Sequence, residues 1–76
     1  MAKYIQTTSR SYVNMDKIVE IRVREYQEGH NDHGHVARFE IEAWLTELGW
    51  TAIQTGFKTK EKAEEMLIKL VINMEN

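Results

Sequence analysis

The residues best suited to chemistry lie in the segment EGHNDHGHVAR, residues 28–38. Three histidines and one aspartate fall within six positions: His30, Asp32, His33 and His35. Imidazole nitrogens together with a carboxylate oxygen form a ligand set suited to zinc, copper or nickel. Two interpretations follow, a divalent-metal site at these four residues or the solvated tip of a hairpin.

Polar hairpin tips that contain glycine are common for reasons of solubility alone. A loop also has no surrounding hydrogen bonds that orient imidazole rings, and ordering it costs about 1–2 kcal/mol per residue. We therefore expect a solvated tip with no resident cofactor. Metal binding stays as the alternative, and catalysis at this loop is not expected.

No other segment has a catalytic pattern. The sequence has no glycine-rich phosphate loop, no serine or threonine beside an evident base, and no acidic pair in a predicted cleft. Cysteine is absent, so no thiolate can attack a substrate or bind a metal. We expect a protein that is not an enzyme.

Alternating apolar and polar residues predict the strands that position the histidine segment. Strands are expected at residues 17–26, 37–45 and 49–57, with Val19, Ile21 and Val23 on the inner face of the first. A weaker strand at residues 3–8 places Ile5 inward. Turns at residues 9–11 and 14–17 flank an extended stretch at residues 12–13.

Charge predicts the pairing of the first two long strands. If paired residue numbers sum to 64, Arg24 faces Glu40 and Arg22 faces Glu42, whereas a sum of 62 opposes like charges. This register centres the hairpin on Asp32, so the histidines are expected in the loop.

The turn at residues 46–49 then leads into the third strand and fits a three-residue loop with a bulge, because Gly49 can take positive φ. We predict pairs whose numbers sum to 96, which are Phe39–Phe57, Ile41–Thr55 and Ala43–Ile53.

The residue pattern of the C-terminal segment predicts a helix. Thr59 is a suitable N-cap, and one apolar stripe follows helical spacing, formed by Ala63, Met66, Leu67, Leu70, Val71 and Met74. The predicted fold is therefore α+β, an antiparallel meander of three to four strands with this helix packed across one face.

Two further surfaces are candidate interfaces. Tyr26, Trp44 and Trp50 fall on the outer face of the sheet, where aromatic rings between arginines anchor proteins or stack on bases. Ile68 and Ile72 lie one turn apart on the helix, away from its core stripe. Either set of side chains could also be exposed with no partner, since scattered apolar side chains on a surface are common.

Composition limits the remaining choices. The 76 residues form one small domain, residues 1–76, with net charge −2 and a calculated pI near 5.9, which disfavours a nucleic-acid partner. No signal peptide or apolar span is evident, so a cytoplasmic location without membrane contact is expected.

The leading hypothesis is a non-enzymatic interaction domain whose partner is a second copy or another protein. Single-stranded nucleic acid on the Trp44/Trp50 face ranks below metal binding.

Overall fold

A computed structural model gives the backbone of residues 3–31 and 34–75 and the side chains of residues 3–29 and 36–74. In these described residues, five strands precede one helix: β1 (Tyr4–Gln6), β2 (Tyr12–Asn14), β3 (Ile18–Asn31), β4 (Gly34–Leu45), β5 (Gly49–Phe57) and α1 (Lys60–Glu75). β1 and β2 form a small antiparallel sheet, and β3, β4 and β5 form an antiparallel meander. The α+β prediction is confirmed.

The β3–β4 register follows the charge prediction over most of its length. Arg24 pairs with Glu40 and Arg22 with Glu42 on one face, while Val23 pairs with Ile41 on the other. Electrostatic pairing and apolar alternation select the same register here, because a slip by one residue would exchange the two faces.

The inward prediction for Val19 is wrong. Ile18 pairs with Leu45 and Glu20 with Trp44, so Val19 is an extra residue in a β-bulge. Its side chain is 70 % exposed. A bulge reverses the alternation of faces, and Ile18 takes the half-buried place expected for Val19.

The β4–β5 register is correct only at its far end. Phe39 pairs with Phe57 as predicted, but Ile41 pairs with Gln54 and Ala43 with Thr51. The three-residue turn starts the pairing at Leu45 and Gly49, whose numbers sum to 94. Two extra residues in β5 then raise that sum to 96, which means that β5 is bulged twice.

The strands of the histidine hairpin are longer than predicted. The β4–β5 pairing ends at Phe39 and Phe57, whereas the β3–β4 pairing continues to Asn31 and Gly34. His30 and His35 therefore lie on strands and not in the loop. Asp32 and His33 lie outside the described residues.

The first hairpin packs beside the helix. Ile5 and Val13 face inward and are buried, as expected for Ile5. Residues 15–17 form a 3-10 turn, and the Asn14 side chain caps it by accepting from the Asp16 amide at 2.9 Å. The β1–β2 turn reaches β5, where the Thr8 amide donates to the Ile53 carbonyl at 2.9 Å.

The helix begins and packs as predicted. The Lys62 amide donates to Thr59 Oγ1 at 3.2 Å, which is an N-cap hydrogen bond. Ala63 and Leu70 are buried. The helix and the first hairpin together cover the inner face of the sheet, and the buried core joins them in one cluster: Ile5, Val13, Met15, Ile41, Ala43, Leu45, Ile53 and Leu70.

Candidate functional site

The outer face of the sheet has a ladder of ion pairs. Arg22 Nε lies 2.5 Å from Glu42 Oε1, and Arg24 Nη1 lies 2.9 Å from Glu40 Oε1. Both glutamates are buried although they lie on the outer face. Their charges are compensated within the sheet, so this face is less open to solvent than the sequence pattern indicates.

The two tryptophans meet as predicted, and Arg22 joins them. The rings of Trp44 and Trp50 are edge to face with centroids 5.5 Å apart. The Arg22 guanidinium carbon lies 3.7 Å from the centroid of Trp50. One ring face of Trp50 is therefore occupied, and Trp44 is the more accessible ring, at 41 % exposure.

Tyr26 is separate from this cluster. It pairs with Arg38 near the end of the long hairpin, and its hydroxyl accepts a hydrogen bond from the Gly56 amide at 3.0 Å. The hydroxyl thus bonds a backbone group of β5 at a bulge. A structural role explains this residue, and of the three predicted aromatic residues only the tryptophans form one surface.

The helix exposes Ile68 and Ile72. They are 58 % and 52 % exposed, against a buried opposite side. Exposed charged residues flank them, namely Glu64, Glu65 and Lys69. We call Ile68 and Ile72 the helix surface. It is a narrow apolar strip with a charged border, and the sequence predicted it correctly as apolar residues outside the core stripe.

The helix surface points away from the sheet. The helix packs mainly on β3 and β4. One flank of the helix lies near the start of β1, where Lys3 Nζ donates to the Asn73 carbonyl at 2.9 Å. At about 100° per residue, Ile68 and Ile72 each lie roughly 160° around the helix from the buried Leu70.

One apolar pocket was not predicted. It has a volume of about 170 Å³ and lies between β2 and the β4–β5 turn. Val13 and Leu45 are buried in its wall, and Tyr12 and Leu48 are exposed at its rim. The sequence could not indicate it, because residues far apart in the chain form it and the position of the first hairpin was open.

The side chains of the predicted metal ligands His30, Asp32, His33 and His35 lie outside the described ones. No three histidine, aspartate or glutamate side chains at residues 3–29 and 36–74 come together in a way that could hold an ion. The backbone pair Asn31–Gly34 places His30 and His35 on adjacent strands.

Comparison with protein-family models, with curated proteins and with solved structures finds no match for this chain. Within the described residues, no helix has the length and apolar character needed to cross a membrane.

Proposed function

We propose that this chain is a non-enzymatic interaction domain that self-associates through the helix surface. The observation that carries the proposal is the exposure of Ile68 and Ile72, at 58 % and 52 %, one turn apart on a helix whose other face is buried. Two isoleucines one turn apart give a continuous apolar strip that a partner can cover, whereas a single exposed isoleucine is common on protein surfaces. A twofold axis brings the same strip of a second copy against this one.

The outer sheet face is the weaker candidate interface. Arg22 already covers Trp50, and Glu40 and Glu42 already pair with arginines. A partner would gain only the exposed part of Trp44 without disrupting those contacts. The helix surface presents apolar area that no such contact covers, which favours it energetically.

Nucleic acid is disfavoured for a related reason. Phosphate binding requires basic side chains whose charge is available. Arg22 and Arg24 are neutralised by Glu42 and Glu40, and the stacking face of Trp50 is taken. These contacts weigh against base stacking at Trp50.

The first prediction tests the helix surface. Ile68→Lys should weaken the dimer by roughly ten- to a hundredfold, because it removes apolar burial and places a charge in the contact. Size-exclusion chromatography with light scattering across a concentration series measures the dissociation constant. Circular dichroism confirms that the variant is folded.

Leu48→Lys is the matched control, since Leu48 is an exposed apolar residue in the β4–β5 turn and not on the helix. It should leave the dimer intact. A wild-type chain that stays monomeric at high micromolar concentration, or an Ile68→Lys variant that dimerises normally, would remove the proposal.

Metal binding at His30, Asp32, His33 and His35 is the second candidate, and the position of His30 and His35 on adjacent strands favours it. Zinc should shift the imidazole resonances of at least two histidines at micromolar metal. His30→Ala with His35→Ala should abolish those shifts. Resonances unchanged below millimolar zinc would exclude the site.

A further inference from the structure

The apolar pocket between β2 and the β4–β5 turn has a wall that the core holds in place. Val13 of β2 and Leu45 of β4 line it, and both belong to the buried core cluster. Tyr12 and Leu48 are exposed at its rim. No described residue of α1 lines the pocket, so it is separate from the helix surface.

The volume of the pocket selects the size of a ligand. Its 170 Å³ is close to the roughly 150 Å³ of an engineered apolar cavity that takes up benzene. Sites for cofactors and drug-sized molecules are larger, at roughly 300–1,000 Å³. The pocket therefore has room for one ring or one branched alkyl group, and the rest of a ligand must lie at the mouth.

Two opposite charges border this apolar space. Lys17, which is half-buried, and Glu47, which is exposed, both line the pocket. The chain holds them near each other, because the Thr46 amide and the Thr46 hydroxyl both donate to the Lys17 carbonyl, at 3.3 and 3.4 Å. Among the ion pairs of the described side chains, none includes Lys17 or Glu47. Long charged side chains cover apolar surface with their stems and keep their charged ends in water, where a ligand can meet them.

We propose that this pocket binds a free amino acid with a large apolar side chain, of which phenylalanine is the test case. The ring fills the space beside Val13 and Leu45, the carboxylate pairs with Lys17, and the ammonium group pairs with Glu47. A zwitterionic amino acid carries both charges on the carbon next to its side chain, which matches two opposite charges beside one apolar pocket. A ligand with a single charge would leave Lys17 or Glu47 without a partner.

The two charged contacts should differ in strength. Exposed ion pairs are screened by water and salt, so each charge changes the affinity by only about two- to fivefold. Lys17 is less exposed than Glu47, so its contact with the carboxylate is the stronger of the two. Burial of the ring supplies most of the affinity.

Titration with phenylalanine, followed by the methyl resonances of Val13, Leu45 and Leu48, tests the site. The three residues should shift together with one dissociation constant on the order of 1 mM, as expected for a ligand of this size. Alanine has the same two charges without the ring and should bind at least about tenfold more weakly. Unshifted resonances at phenylalanine concentrations about tenfold above the expected constant would overturn the proposal.

Two analogues separate a free amino acid from the end of a peptide. Phenylalaninamide lacks the carboxylate and should bind about three- to fivefold more weakly than phenylalanine, and N-acetylphenylalanine lacks the ammonium group and should bind about two- to threefold more weakly. If N-acetylphenylalanine binds as well as phenylalanine, the pocket takes the C-terminus of a peptide and the proposal is wrong. Equal binding of phenylalaninamide would indicate a peptide N-terminus and would also overturn it.

Lys17→Met tests the role of the ammonium group, because methionine keeps an apolar stem and removes the charge. Phenylalanine should bind this variant about three- to fivefold more weakly, and phenylalaninamide should bind it as it binds the wild type. Lys62→Met, at an exposed lysine of α1, is the matched control and should leave both affinities unchanged. A Lys17→Met variant that still prefers phenylalanine to phenylalaninamide would show that Lys17 does not bind the carboxylate.

Glu47→Gln is the corresponding test for the ligand's ammonium group. It should weaken phenylalanine binding about two- to threefold and leave the binding of N-acetylphenylalanine unchanged. Ile68→Lys should bind phenylalanine as the wild type does, because the helix surface is not part of the pocket. Loss of phenylalanine binding in Ile68→Lys would place the ligand elsewhere and overturn the assignment.

Discussion

At the scale of single residues, the most consequential contacts are those of Arg22. Its guanidinium bonds the buried Glu42 and covers the ring of Trp50. A buried carboxylate is stable only when paired, whereas an apolar replacement of both partners is often neutral or stabilising. The pair is therefore better explained as fixing the β3–β4 register than as a source of net stability.

Arg22→Leu should lower the free energy of unfolding by about 1–3 kcal/mol, since it leaves Glu42 buried without a partner. This loss is smaller than the loss expected for a fully buried ion pair, because Arg22 is partly exposed to water. Urea titration followed by far-ultraviolet circular dichroism measures the change. Adding Glu42→Leu to the same chain should recover most of the loss.

Arg24→Leu is the internal control for this prediction. It removes the partner of Glu40 at a site where no stacking on a tryptophan occurs. We expect the free energy of unfolding to fall less than for Arg22→Leu. The difference between the two variants should be about 0.5–1 kcal/mol, which is the contribution of the cation–π contact. An equal loss at both arginines would show that stacking on Trp50 adds nothing.

At the scale of elements, charge explains which registers the sequence predicts. β3 and β4 carry arginines and glutamates in alternation, and only one alignment of those charges is favourable. β5, GWTAIQTGF, carries no charge at all. Nothing in β5 therefore distinguishes one register from another, and its two bulges could not be inferred from alternation.

The candidate surfaces were predictable to different degrees. The helix surface follows from helical spacing alone, so the exposure of Ile68 and Ile72 was predictable. The contact of Arg22 with Trp50 depends on the bulged β4–β5 register and was missed. The apolar pocket depends on where the first hairpin packs, which local patterns do not specify.

Gly56 marks the second bulge of β5. Its φ is +87°, and a Cβ placed there would meet no heavy atom within 4 Å. The requirement for glycine is therefore conformational and not steric with respect to neighbours.

Gly56→Ala should lower the free energy of unfolding by about 1–2 kcal/mol, the backbone cost of a left-handed conformation. Gly56→Asn should lose less, because asparagine adopts positive φ more readily. Thermal and urea unfolding of both variants gives the comparison. An alanine variant as stable as the wild type would mean that β5 can pair without this bulge.

At the scale of the whole molecule, size makes self-association valuable. A domain of 76 residues buries only about 60 % of the surface that its unfolded chain exposes. The long hairpin also extends β3 and β4 past the end of the β4–β5 pairing, and a two-stranded ribbon is marginally stable by itself. Both features favour a chain that gains stability from a second copy.

Mass action makes this coupling measurable. If folded dimers dissociate and unfold together, the midpoint of thermal unfolding must rise with protein concentration. For a domain of this size we expect about 3–5 °C for each tenfold increase above the dissociation constant. Differential scanning calorimetry over two decades of concentration measures the slope. Ile68→Lys should show the same rise only at roughly ten- to a hundredfold higher concentration, and Leu48→Lys should retain the wild-type slope. A wild-type midpoint that is constant over the same range would mean that the domain is stable as a monomer and that its exposed isoleucines serve a different partner.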